Sequence, residues 1–133
     1  MAQSNWSNQG FNQPSWSAEQ LTPEKLIPGG SRLVTAEFAA NTFGARAVES
    51  GVLVGRTYAE RAAGTGFGVA DVAADEEILI VAFDVLDCNK NADVTLLRPG
   101  TQIYEDKLPI WATATAPQKA KIRSIYQCLT YPA

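Results

Sequence analysis

Apolar positions are sparse at the start of the chain and then become dense, mostly in short β-type runs, up to residue 104. Residues 31–38 mix apolar and polar positions as an edge or surface strand does. Residues 52–58 follow Gly51 and predict a second strand, in which Gly55 marks a bulge or a close approach. Residues 77–85 are the most hydrophobic run and predict a central strand covered on both faces. Residues 93–97 predict a further strand, stopped by Arg98-Pro99-Gly100, and residues 101–104 restart the sheet. Near the C-terminus the period changes. Ile122, Ile125, Tyr126 and Leu129 fall at i, i+3, i+4 and i+7, with Lys119, Lys121 and Arg123 mainly on the other face. Pro117 sits where a first helical residue belongs, after Thr115 or Ala116 as cap. Residues 128–131 have an alternative as a short final strand. The expected fold is α+β and β-dominated: a small, compact, sheet- or barrel-like domain with one C-terminal helix.

The N-terminal text is of another kind. Through Ala18 it carries no charged side chain, and beyond Met1 and the alanines it has no aliphatic residue. Such a stretch cannot repay its own ordering entropy and is expected to be extended or disordered alone in water. Yet Trp6, Phe11 and Trp16 recur every five residues. That spacing fits neither a helical stripe nor a strand face. It fits a peptide lying along another surface and placing one ring in each successive pocket, with Leu21 following. Residues 21–30, with two prolines and a glycine pair, are a linker or short turn. The expected division is an extended binding arm and linker at 1–25 and a folded domain at 26–133.

Composition narrows the chemistry. The 133 residues are 46% hydrophobic and carry 11 basic against 14 acidic side chains, a net charge of −3, which gives no sequence-wide reason to bind nucleic acid. No apolar run approaches the ~20 residues that span a bilayer, so no membrane partner is expected. The first residues lack the basic and apolar regions of a secretory signal, which predicts synthesis in a cytoplasm and makes the sequon-like Asn5-Trp6-Ser7 accidental. Histidine is absent, which excludes Ser-His-Asp and Cys-His catalysis and histidine-bearing metal sites. Cys88 and Cys128, forty positions apart, are expected to be small half-buried side chains rather than a bridge or a zinc site.

Three segments imitate active sites. Gly64-Thr65-Gly66-Phe67-Gly68 lacks both the dinucleotide fingerprint and the G-K-[S/T] of a phosphate loop, and is expected to be a flexible surface loop or hairpin tip. Residues 87–93 place oxygen side chains at alternate positions like a calcium loop. However, the glycine position holds Ala92, the terminal acid falls at Arg98, and a β-run follows, so an Asx-rich turn is expected. Asp84 and Asp87 resemble paired glycosidase acids only superficially, because no aromatic saccharide platform lies nearby. Arg98 is expected to pin a neighbouring carboxylate or carbonyl. No catalytic, cofactor-binding or metal residue is assigned, and no cofactor is expected.

Three passages carry a resemblance. Gly51-Val52-Leu53-Val54-Gly55-Arg56, the segment from Val94 through Arg98-Pro99-Gly100 to Tyr104-Glu105-Asp106-Lys107-Leu108, and Trp111 with the polar helix behind it resemble the head decoration (capsid cement) proteins of tailed bacteriophages, the family of the lambda head-stabilising protein. The resemblance covers the chain from Gly51 onward; residues 26–50 and the turn at 87–93 depart from it. It implies a non-enzymatic virion protein, a homotrimer on the outer capsid surface whose N-terminal segment contacts the major capsid protein, often by strand addition. Three arms per trimer would raise avidity without any one contact being strong. Trp6, Phe11, Trp16 and Leu21 are then the capsid-binding arm, and Tyr104, Pro109 and Trp111 the oligomer interface. The alternatives are another virion part, such as a neck or tail adaptor, and a small cation- or ligand-binding protein.

Overall fold

The computed structural model describes residues 14–27 and 31–132. Its principal sheet has three antiparallel strands: β1 (Leu53–Arg56), β2 (Gly68–Val69) and β3 (Glu77–Ile80), in the order β2-β1-β3. Register runs Leu53↔Ile80 to Arg56↔Glu77 on one side of β1 and Val54↔Val69 to Gly55↔Gly68 on the other. Between β1 and β2 lies a short helix, α1 (Tyr58–Ala62). A second, parallel pair joins β4 (Gln102–Tyr104) to β5 (Gln127–Leu129), and α2 (Ala116–Ile125) makes the crossover. The fold is α+β with small sheets that do not close into a barrel.

Several elements differ from the expected ones. The hydrophobic run at 77–85 forms a regular strand only to Ile80, and β1 rather than β3 is central. Ile78, Leu79 and Ile80 are all buried, as a doubly covered strand requires. Side-chain pattern reports burial of faces, however, and says nothing about lateral order. Beyond β3 the run continues by isolated bridges, Val81↔Leu96 and Val48↔Val85. The strand expected at 93–97 likewise consists of bridges, at Asp93, Leu96 and Leu97. Residues 31–38 pair only at Arg32 and Leu33, then turn into a 3-10 helix, Thr35–Glu37. Arg46 Nη1 donates to the carbonyls of Thr35, Ala36 and Phe38 and holds that turn. The run expected at 52–58 stops at Arg56, because Thr57 caps α1.

The C-terminal helix forms where expected. Thr115 is its N-cap, and a capping box links Thr115 and Gln118 reciprocally, with Pro117 in the first turn. Ile122 and Tyr126 are buried and Ile125 half-buried. Leu129 leaves the helical stripe and stands 43% exposed on β5, the final strand held as the alternative. Tyr126 closes the core: its hydroxyl accepts from Ile80 N at 2.9 Å and donates to Leu97 O at 2.8 Å.

Candidate functional site

The N-terminal segment is the largest correction. From Pro14 onward it is part of the domain. Trp16 is 2% exposed and Leu21 5%. Trp16 Nε1 donates to Ser50 Oγ at 3.0 Å, and Ser50 Oγ in turn donates to Ala82 O. The indole packs so closely that a Cβ at Gly51 would lie 2.9 Å from its Nε1 and 2.7 Å from Pro109 Cδ; Gly51 also has φ +93°. Only glycine fits there. Ser17 bridges Ile103 antiparallel, Ala18 N donates to Gln102 O, and Tyr104 N donates to Trp16 O. The strap thus adds to the free edge of β4. Glu19 receives Gln102 N at 2.7 Å and pairs with Lys25 at 3.0 Å; the amide first, then Lys25, holds its carboxyl below the ordinary range despite partial burial. Trp16 and Leu21 are core residues, so they cannot also be the face offered to a partner, and residues 14–25 belong to the domain rather than to the expected arm. Trp6 and Phe11 lie outside the described residues.

Leu26 bridges Leu97, while Arg98 donates to the carbonyls of Glu24 and Leu26 at 3.0 and 3.3 Å. The sequence expectation of a guanidinium pinning a carbonyl describes this contact.

Tyr104 and Pro109 stand beside that strap, and Trp111 follows them on the same segment. Tyr104 meets Tyr131 edge-on, with centroids 5.0 Å apart, and Asp106 Oδ1 accepts from Tyr131 N. Glu105 receives Arg123 Nε and Nη2 at 2.9 and 2.8 Å, a bidentate pair that lowers the Glu105 carboxyl. Trp111 lies half-buried with Lys119 Nζ at 4.9 Å and the Arg123 guanidinium at 5.1 Å from its ring centre. Each of these side chains is therefore oriented by its own chain. Trp111 keeps part of its surface exposed, and Pro109 is exposed.

The segments that imitate active sites are structural where they are described. Phe67 is buried under the Arg56 guanidinium at 4.2 Å, so the glycine-rich segment is a packed connection rather than a flexible loop. A Cβ at Gly66 would lie 2.5 Å from Arg32 O, and one at Gly68 would collide with the Glu37 carboxylate. In the 87–93 turn, Asp87 Oδ1 accepts from Arg46 N and Asn89 N, and Asn91 Oδ1 from Asp93 N. Those amides hold the Asp87 carboxyl low. Cys88 is buried and Cys128 half-buried, and both are free thiols. Among the described residues, no three His, Cys, Asp or Glu side chains are grouped as a metal ion would need, and no helix is long and apolar enough to cross a membrane.

Sequence reasoning missed one feature of the surface. Phe43 stands 93% exposed on a built loop and Leu86 83% exposed on the segment paired with it. An aromatic between Asn41 and Gly44, both turn residues, was the available signal. Compared with protein-family models, curated proteins and solved structures, the chain matches no family, no curated protein and no solved structure.

Proposed function

We propose that the protein is a capsid decoration protein, a non-enzymatic trimer that binds the outer surface of a phage major capsid protein lattice and stabilises the expanded head. The observation that carries this reading is the fastening of the strap. Trp16 and the Ser17–Ile103 bridge tie the chain down beside Tyr104 and Pro109. Residues 1–13, which bear Trp6 and Phe11 and no ionisable side chain, directly precede in sequence the strap fastened beside the segment that carries the resemblance. A tethered aromatic peptide beside a rigid surface binds with less entropic cost than a free one, and three such peptides on a trimer multiply the effect.

Deleting residues 1–13 leaves every described core contact in place. The truncated protein is expected to melt like the full chain and to lose co-sedimentation with expanded, undecorated shells of the parent phage. Equal co-sedimentation would remove the proposal. Occupancy separates decoration from an adaptor role: hundreds of copies per particle are expected on the first reading, and about six or twelve on the second. The trimer is assigned to the Tyr104–Pro109–Trp111 surface, and light scattering at shell-like local concentration should return three chain masses rather than one.

A further inference from the structure

An open apolar groove lies between the principal sheet and the approach to α2. Its walls include Val52 and Leu53 at the start of β1, Val69 and Ala70 at the end of β2, and Ile110 and Ala114 before α2, and no lining side chain is charged. Val69 is 54% exposed, and Val52, Ala70 and Ile110 are half-buried, so the groove is apolar surface that the described residues leave uncovered. Its volume, about 240 Å³, falls below the ~300–1,000 Å³ of small-molecule sites. It suits one ring rather than a cofactor.

Position and charge together name the ring. Trp16 is held against Gly51 and Pro109, since a Cβ on Gly51 would meet both the indole and the proline ring. Those two residues are the chain neighbours of Val52 and Ile110, so the strap is fastened beside the groove. Pro14 O accepts from Ser17 N within a turn of Trp16, and residues 1–13 precede it. Phe11 stands five positions before Trp16, a span that reaches up to ~18 Å. Residues 1–13 carry no ionisable side chain and the groove walls carry none, so seating one on the other buries no charged side chain.

We propose that Phe11 docks in this groove of its own chain. The inference goes beyond the shell-binding reading and does not rest on it; on that reading, the groove is the seat Phe11 leaves when the shell is met. Tethering supplies an effective concentration of about 1 mM, so a single ring of mM affinity is seated in about half of the molecules. Docking at that population moves the melt by no more than about two degrees.

The test is amide NMR of the full chain with no shell present, against the 1–13 deletion, Phe11→Ser and Trp6→Ser. Deleting residues 1–13 is expected to shift the Val52, Val69, Ala70, Ile110 and Ala114 amides. Phe11→Ser should reproduce those shifts, and Trp6→Ser should leave the full-chain positions unchanged. Groove amides that stay in place on deletion would overturn the proposal, as would shifts that follow Trp6 instead of Phe11. A labelled deletion chain mixed with excess unlabelled full chain should keep its own groove positions; if it takes up those of the full chain, a neighbouring copy supplies the ring and the same-chain assignment falls. Shell co-sedimentation enters none of these outcomes, so the groove and the shell-binding reading fail separately.

Discussion

Single polar side chains hold much of this molecule together by completing backbone that no regular ladder completes. Arg46 serves three carbonyls, Arg98 two, and Tyr126 joins Ile80 N to Leu97 O across 46 and 29 positions of sequence. The role of Arg98 was legible because Pro99-Gly100 announces a chain reversal beside it. That of Tyr126 was not, since periodicity counts it as one more apolar residue on a helix. Burial raises the Tyr126 hydroxyl well above its ordinary value, and it raises the Cys128 thiol from 9.0 to about 11, with Glu105 adding to the effect. The folded state therefore holds both protons more tightly than the unfolded chain does. The Cys128 contribution to stability is intact below pH 9 and is lost as the pH climbs through about 11, while that of Tyr126 persists to more alkaline pH. Urea midpoints should fall over that window, and Cys128→Ser should fall less; a flat alkaline profile would count against the buried thiol. Glu19 and Glu105 act at the other end, since their lowered carboxyls contribute above the ordinary carboxylate range and cease to as acid protonates them.

At the scale of elements, both helices begin in the same way. Thr57 with Glu60 and Thr115 with Gln118 form complete capping boxes. The second was anticipated through its proline and threonine. The first carries the same T-x-x-E signature but was absorbed into a strand, because apolar residues lead into it without a break. Thr57→Ala and Thr115→Ala should each cost about 1 kcal/mol in urea unfolding. Five-residue α1 is too short to persist without its cap and tertiary support. Thr57→Ala should therefore also speed amide exchange across residues 58–62 selectively, and unchanged protection there would show that packing alone holds the helix. The same limit explains the dissolved strands. Residues 31–38 and 93–97 have strand-like composition, yet they pair only by isolated bridges, at two and three positions respectively, because side-chain clamps and turns take over remaining backbone groups.

For the molecule as a whole, the decisive difference is that residues 14–25 belong to the folded domain. Deleting residues 1–13 should leave stability unchanged. Deleting residues 1–20 removes Trp16 and the Ser17–Ile103 bridge and should unfold or severely destabilise the domain, since loss of a buried tryptophan alone costs ~3–5 kcal/mol. Equal melting of the two truncations would place the boundary back at residue 25. The sequence by itself determined the α+β class, the apolar run at 77–80, the C-terminal helix and its start, and the turn character of 87–93. All of these rest on local periodicity, capping and turn chemistry, which act within a few residues. Tertiary structure alone decided that β1 is central, that Trp16 and Leu21 are core, that Tyr126 ties the helix to β3, and that Phe43 is left in water. Whether a ring is buried at home or shown to a partner depends on which distant backbone edge and which small residue, here β4 and Gly51, leave room for it. Spacing along the chain carries no record of that.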